Sequence, residues 1–215
     1  MTQLKKVQIS NLHWKKVKTD ALVVGVFKGG GLSSVGKEVN SDFNGVINTA
    51  IKNDDFKEKS NETLMIYTGG NSSRILLIGL GKKKDFDLEK LRQAGGTVAK
   101  ILQGKDKTSA SAEIPGLDAL NCSAADATRA FVEGAILGSY KFLNYKTDDE
   151  NRTVLKSLTI VGGGSRSGLQ QGKIVGESVC LARDLAAHPS NVATPSRLAS
   201  EARKIARAEG MTCKV

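Results

Sequence analysis

The chain has 215 residues, of which 40% are hydrophobic and 25% charged, a balance typical of a globular protein with an apolar core. No apolar run approaches the ~20 residues that a membrane-spanning helix needs, and no signal-peptide core follows Met1. We therefore expect a cytoplasmic protein without a membrane partner. The three cysteines (Cys122, Cys180 and Cys213) are far apart, which predicts reduced thiols rather than a disulfide frame or a zinc site.

The formal net charge is +10, and the basic residues gather in short clusters. The lysine clusters are Lys5-Lys6, Lys15 with Lys16 and Lys18, and Lys82-Lys83-Lys84. This charge is compatible with binding to a polyanion, although a solvated basic surface is the simpler interpretation. Aromatic residues make up only 5% of the chain and are not interleaved with the lysines, which argues against a stacking platform for single-stranded nucleic acid.

Six segments have the pattern of β-strands. The clearest is Ala21–Phe27, a continuous apolar run of the kind found in strands that are covered on both faces. The others are residues 6–10, 62–67, 74–80, 109–113 and 153–161. Between the third and fourth strands, Gly69-Gly70-Asn71 predicts a hairpin turn.

Four segments upstream of residue 188 have helical patterns, over residues 39–51, 88–102, 123–143 and 168–185. The first has an apolar stripe at Phe43, Val46, Ile47 and Ile51, and Asp87 is the expected cap of the second. One side of the third is small, with Ala127, Ala130, Gly134 and Gly138, so another element is expected to approach it closely. The fourth is expected to be well buried through Ile174, Val175, Val179, Leu181, Ala182 and Leu185.

Apart from the one hairpin, strands alternate with helices along the chain. This alternation predicts an α/β sandwich whose sheet is mixed and mostly parallel.

A joint between two helices follows near the end of the chain. The residue before a proline is disfavoured in the helical conformation, so the helix before Pro189 is expected to stop by His188. Thr194 and Pro195 suit the N-cap and first position of the next helix. That helix is expected over residues 195–209.

The last residues, 211–215, have the pattern of a strand start. A helix with an apolar face at Leu198, Ala202 and Ile205, followed by a strand, needs a sheet to cover. We therefore expect this tail to be weakly anchored, or to pack against a neighbour.

Three glycine-rich motifs were weighed as catalytic or nucleotide sites and rejected. Gly31-Leu32-Ser33-Ser34-Val35-Gly36-Lys37-Glu38 has the spacing of a phosphate loop, but Glu38 replaces the hydroxyl residue that binds Mg²⁺, and its charge would repel phosphate. Gly79-Leu80-Gly81 lacks the third glycine of a dinucleotide fingerprint. Gly162-Gly163-Gly164-Ser165-Arg166-Ser167-Gly168 does not have the spacing of a nucleophile elbow.

The chain has only two histidines. His13 lies in a polar, lysine-rich segment. His188 follows Asp184 by four residues at a helix end, where contact with the last carbonyls is the more common role of an imidazole. From the residues alone, no catalytic, cofactor-binding or metal-binding residue is identified.

Four stretches together resemble the leucyl (cytosol) aminopeptidase family. They are Ala21-Leu22-Val23-Val24-Gly25-Val26-Phe27 with Gly29, Gly30 and Leu32; Leu76-Leu77-Ile78-Gly79-Leu80-Gly81-Lys82 leading to Leu91, Arg92, Ala94 and Gly95; Phe131-Val132-Glu133-Gly134-Ala135-Ile136-Leu137-Gly138-Ser139-Tyr140-Lys141-Phe142 with Tyr145 and Lys146; and Ala182-Arg183-Asp184-Leu185 continuing through Asn191 and Thr194-Pro195 to Leu198-Ala199. The third and fourth are the most specific. Within the fourth, Ala187 and Ser190 stand where the family usually has asparagine and a second proline.

The resemblance implies a three-layer, macro-domain-like accessory domain over residues 1–167. It further implies a connecting helix and joint over 168–191, and the start of a truncated catalytic domain over 192–215. Family members are hexameric enzymes that hydrolyse N-terminal residues from peptides with two divalent cations, commonly Zn²⁺, Mn²⁺ or Mg²⁺. The family's metal ligands lie in motifs that do not occur in these 215 residues. No catalytic or metal residue is therefore carried over, and the chain alone is expected to be inactive.

Two other functions remain open from the sequence. Some bacterial relatives bind DNA, and the net charge of +10 keeps that function in view. A macro-domain-like fold also suggests binding of a nucleotide sugar, by fold analogy alone. That site would require the glycine loops at 29–31 and 162–164 to converge.

Overall fold

The computed structural model describes residues 4–53, 55–68, 74–145 and 153–215. Within these ranges a seven-stranded sheet lies between two layers of helices. The strands are β1 (Lys6–Ile9), β2 (Ala21–Phe27), β3 (Gly31–Leu32), β4 (Thr63–Tyr67), β5 (Arg74–Gly81), β6 (Ser109–Ala112) and β7 (Ser157–Ile160). The helices are α1 (Ser34–Asp42), α2 (Val46–Lys52), α3 (Leu88–Gly104), α4 (Ala124–Ser139), α5 (Arg166–Ala187) and α6 (Pro195–Ala208).

The sheet is mixed and mostly parallel, which confirms the predicted fold class. Its strand order is β1-β7-β6-β2-β5-β4, and β3 pairs with β2 at the side. Five neighbouring strands run parallel to one another, namely β1, β7, β6, β2 and β5. Strands β3 and β4 are antiparallel to their partners. The predicted hairpin turn at 69–71 lies outside the described residues.

Strand β2 is buried along its whole length and supplies both apolar cores. Because successive side chains of a strand point to opposite faces, Ala21 and Val23 pack in the core that contains residues of α3, α4 and α5. Leu22 and Val24 pack in the core that contains residues of α1 and α2. The two cores confirm the three-layer arrangement.

The single helix predicted over 39–51 is two helices in the structure. The chain leaves the helical conformation at Asn44 and Gly45, which have φ angles of 53° and 75°, and glycine adopts this left-handed conformation without a steric cost. The Asn40 side chain then accepts hydrogen bonds from the backbone N–H groups of Ile47 and Asn48, at 2.9 and 3.1 Å. These bonds cap α2. The chain therefore breaks into two helices at Asn44 and Gly45, although the apolar stripe continues across the break.

Helices α3 and α4 approach each other closely through glycines, as the small side of α4 predicts. A Cβ atom placed on Gly134 would lie 2.7 Å from the carbonyl carbon of Arg92, well inside the 3.5–4.0 Å of an ordinary carbon contact. A Cβ atom on Gly138 would similarly lie 2.5 Å from the Cα atom of Gly96. Helix α4 ends at Ser139 rather than near residue 143, and β7 is shorter than the predicted strand over 153–161.

The expected buried face of α5 is wrong. Ile174 and Val175 are 57% and 41% exposed. The residues that α5 buries occur at every fourth position and are Gly168, Gly172, Gly176 and Cys180. The spacing of four places them on one face, and the missing side chains let α5 pack against α4 at close range. The buried face of α5 is therefore the one on which its backbone can approach α4 closely, and not the one with the larger apolar side chains.

The predicted strand at 211–215 does not form. Helix α6 is followed by Gly210, with a φ of 67°, and then by irregular chain. Helix α6 buries only Ala206 and leaves Leu198 and Ile205 more than 40% exposed. No helix in the described ranges is both long and apolar enough to span a bilayer.

Candidate functional site

The carboxyl ends of the parallel strands form the natural place to look for a site. In open α/β sheets, ligands bind in the crevice outside these strand ends, where neighbouring connections leave toward opposite faces. Here the connection after β2 leads to α1 on one face, and that after β6 leads to α4 on the other. The glycine loops at 29–31 and 162–164 both lie at this edge.

The first glycine loop is occupied by contacts from the chain itself. The backbone N–H of Gly30 donates to the carbonyl of Phe27 at 3.1 Å and to Oε1 of Glu58 at 3.2 Å. The Glu58 side chain is 93% buried by this arrangement, since only 7% of the residue remains exposed. A carboxylate thus lies where a phosphate loop would hold a phosphate oxygen.

The half-buried Ser33 and the buried Glu113 form a pair at this edge of the sheet. Ser33 caps α1 by accepting a hydrogen bond from the N–H of Gly36 at 3.0 Å, and its hydroxyl is hydrogen-bonded to Oε1 of Glu113. Glu113 directly follows β6 and is 7% exposed. Burial raises the pKa of Glu113 to about 7, and the Ser33 hydrogen bond opposes this rise while the nearby Asp118 and Glu38 add to it.

Glu38, the residue that argued against a phosphate loop, binds side chains from the loop after β1. Its Oε2 atom accepts a hydrogen bond from Nε1 of Trp14 at 3.0 Å and lies 2.9 Å from Nε2 of His13. These hydrogen bonds, first from Trp14 and then from His13, lower the pKa of Glu38. The carboxylate is therefore ionised and hydrogen-bonded to two side chains of the same chain. A negative charge at this position does not fit a phosphate loop.

The two glycine loops at this edge line separate cavities. A cavity of about 510 Å³ is lined by His13, Trp14, Glu38 and the loop residues Gly162 and Gly163. A smaller cavity of about 190 Å³ is lined by Gly29, Gly31 and Ser33, together with Lys83 and Asp118. The two glycine loops thus contribute to different cavities, and the convergence that a shared nucleotide-sugar site requires is not found in them.

His188 and Asp184 do not form the dyad that their spacing could suggest. Asp184 accepts a hydrogen bond from the Tyr140 hydroxyl at 3.1 Å, and Nδ1 of His188 is hydrogen-bonded to the Tyr145 hydroxyl at 2.7 Å. Both belong to helix-end structure, as expected. No local pattern in the sequence indicates the two tyrosine partners, which lie more than 40 residues upstream.

One family model matches the chain. Residues 23–149, more than half of the chain, match the family model described as the N-terminal domain of the cytosol aminopeptidase family. The chain belongs to this family.

Two similar curated proteins of the cytosol aminopeptidase family are longer than this chain. A probable cytosol aminopeptidase of Geobacter sp. (strain M21) is 33% identical, over 98% of this chain and 43% of its own length. The probable cytosol aminopeptidase of Alkaliphilus oremlandii (strain OhILAs) is 29% identical, over 98% of this chain and 44% of its own length. The chain thus spans less than half the length of these relatives.

Two solved structures share the fold. A tomato leucine aminopeptidase mutant superposes with a TM-score of 0.78 at 22% identity, covering 97% of this chain and 43% of the tomato chain. The bottromycin maturation enzyme BotP superposes with a TM-score of 0.73 at 21% identity, covering 91% of this chain and 39% of its own. At these identities the likeness shows the fold alone.

The described residues do not fit the pair of divalent cations that the family implies. One solved structure of the bottromycin maturation enzyme is a complex with Mn. In the described part of the present chain, no group of three or more His, Cys, Asp or Glu side chains is arranged to hold a metal ion, whereas such sites use several carboxylate or imidazole ligands. No metal-dependent step is therefore assigned to these residues.

Proposed function

We propose that this chain is the N-terminal, non-catalytic portion of a longer cytoplasmic cytosol aminopeptidase. The longer enzyme would remove N-terminal residues from peptides with two divalent cations, Zn²⁺, Mn²⁺ or Mg²⁺, held by residues beyond Val215. The main support is the match to the family's N-terminal domain over 23–149, in a chain less than half as long as its relatives.

We place the boundaries of this arrangement at the joint. Residues 1–167 would form the accessory domain, 168–191 the connecting helix and joint, and 192–215 the start of the catalytic domain. The exposure of Leu198 and Ile205 on α6 supports this division, because an amphipathic helix buries its apolar stripe against another element in a complete domain. In the longer protein the rest of the catalytic domain would cover this stripe.

The accessory domain would act through assembly and access rather than chemistry. The family resemblance implies a homo-hexamer for the longer protein, with this domain helping to order the subunits and to shape the approach to the active site. Sedimentation of the longer protein is the direct test, and a monomer at micromolar concentration would contradict the assembly role.

The two alternative functions are not favoured by specific observations. The glycine loops line different cavities, and the first is occupied by Glu58, so a nucleotide-sugar site lacks its expected frame. Lys5 and Lys6 lie at the amino edge of the parallel strands, while Lys82 to Lys84 follow β5 at the carboxyl edge. These two clusters therefore lie at opposite edges of the sheet and do not form one continuous surface for DNA.

The absence of catalysis in this chain can be measured with leucine p-nitroanilide and added Mn²⁺. We expect no release of the chromophore above the buffer blank, and a purified leucine aminopeptidase serves as the positive control. Release at a rate proportional to the concentration of this chain, co-eluting with it on gel filtration, would refute the non-catalytic assignment. Reading the DNA after codon 215 tests the longer protein, since an in-frame stop codon there would refute it.

Limited proteolysis tests the proposed boundary. Because α6 buries so little side-chain area, a broad-specificity protease should cut after Asn191 first and leave a stable fragment that contains the whole sheet. Mass spectrometry of the surviving fragment locates the cut. If residues 192–215 resist cleavage as well as the sheet does, the boundary is wrong.

A further inference from the structure

The two stretches with the most specific family resemblance lie against each other in the structure, and this contact has no part in the proposed catalysis. One is the segment after α4 that contains Tyr140 and Tyr145. The other is the last two turns of α5, which contain Asp184 and His188 and lead into the joint. Their sequence separation of more than 40 residues makes the contact tertiary rather than local.

The contact continues the buried face of α5 in a different chemical form. Gly168, Gly172, Gly176 and Cys180 are buried at intervals of four residues. Asp184 and His188 are the next two residues at the same interval, at the end of the helix that leads into the joint. The glycines face α4, as a Cβ atom on Gly176 would lie 2.8 Å from Cγ2 of Ile136. Helix α4 ends at Ser139, and from that point hydrogen bonds replace close backbone packing.

Tyr140 contacts Asp184, the first of these two residues. Its hydroxyl donates to Oδ1 of Asp184 at 3.1 Å, and the Arg183 guanidinium lies 5.6 Å from the centre of its ring. Burial and then the Asp184 hydrogen bond raise the pKa of Tyr140 to about 12. The hydroxyl therefore stays protonated and remains a donor at physiological pH.

Tyr145 and Phe142 both contact His188, the second of these two residues. The Tyr145 hydroxyl is 2.7 Å from Nδ1 of His188. The ring of His188 also lies edge-on to both aromatic rings, with centroid distances of 5.3 Å to Phe142 and 5.7 Å to Tyr145, in the range of favourable aromatic pairs. His188 is the C-cap of α5 and precedes Pro189, so these contacts end where the joint begins.

We infer that Tyr140 and Tyr145 form a latch that fixes the last turn of α5 and thereby the direction in which the chain enters the joint. Its value to a catalytic domain beyond the joint rests on the proposed function. The latch itself is a property of this chain. Neither tyrosine touches reacting atoms, so both are positioning residues.

Hydrogen exchange of backbone amides tests the latch in the 215-residue chain. The double variant Y140F/Y145F keeps both rings and removes both hydroxyls. We expect the amides of Leu185 and Ala187 to exchange about tenfold faster in this variant, since a lost hydrogen bond raises local opening by a factor of this order. The amides at the start of α5 should keep their wild-type rates.

The control is Tyr67→Phe, because Tyr67 lies on the edge strand β4 and is 72% exposed. It should leave exchange in α5 unchanged. The latch is refuted if Y140F/Y145F leaves the last turn at the wild-type rate, or if exchange increases equally throughout the chain. Either result concerns this chain alone, so failure of the latch is distinguishable from failure of the aminopeptidase assignment.

Discussion

The glycine contact between α3 and α4 makes a sharp prediction about a single methyl group. Gly134→Ala places a Cβ atom 2.7 Å from the carbonyl carbon of Arg92, so the two helices must separate by about 1 Å to reach an ordinary carbon contact of about 3.5–4.0 Å. Overpacking of this kind costs about 1–3 kcal/mol. The better helix propensity of alanine offsets at most about 1 kcal/mol of that cost.

Gly104→Ala is the matched control, because Gly104 is the last residue of α3 and a Cβ atom there meets nothing within 4 Å. We expect urea unfolding to show a lower free energy of unfolding for Gly134→Ala, and an unchanged or slightly higher one for Gly104→Ala. In thermal melts each kcal/mol corresponds to about 2–4 °C for a chain of this size. Equal stability of the two variants would refute the close-packing argument.

Three further predictions, which use four substitutions, test other contacts in the structure. Glu113→Gln should be as stable as the wild type near pH 4.5 and up to about 3 kcal/mol more stable at pH 8, measured by urea unfolding at both pH values. The pKa of Glu113 is raised to about 7 from an ordinary 4.5. The wild type therefore has a stabilising contribution that is complete below pH 4.5 and is lost as pH rises through 7. A stability difference between the two proteins that does not depend on pH would contradict this prediction. Ile174→Ser should change the unfolding free energy by less than about 0.5 kcal/mol, whereas Gly172→Val should destabilise clearly, since a Cβ atom there lies 2.7 Å from the Arg129 carbonyl oxygen; equal thermal shifts would show that the wrong face was assigned. Asp87→Ala should lower the melting temperature by the equivalent of about 1 kcal/mol, because Asp87 caps α3 by accepting from the Lys90 N–H at 2.8 Å, and an unchanged melting temperature would show that the cap is dispensable.

Local signals in the sequence located most of the sheet. The apolar run of β2 predicts a strand that is covered on both faces, and the structure buries every residue of it. Capping residues Asp87, Ser123 and Thr194 marked the starts of three helices. These features depend on neighbouring residues, which is why the sequence alone sufficed for them.

Contacts between residues that are far apart in the sequence were predicted less well. The face of α5 was misjudged because apolar content suggested Ile174 and Val175, while the deciding factor was how closely the backbone of α4 can approach. The glycine spacing at 168, 172 and 176 was the signal that could have revealed it. The pair of Ser33 and Glu113 is formed by segments 80 residues apart, and no periodic pattern connects them.

The glycine series of α5 ends at Cys180, which limits how far the helix can move along α4. A helix rises about 1.5 Å per residue, so a slide of four residues would move α5 by about 6 Å and would put Cys180 where Gly176 was, against Ile136. Tyr140 and Tyr145 each have one specific polar partner on α5, and a slide would separate both pairs. The packed face of α5 and the two tyrosines therefore both hold the register of this helix, and any domain attached beyond residue 191 would inherit that register.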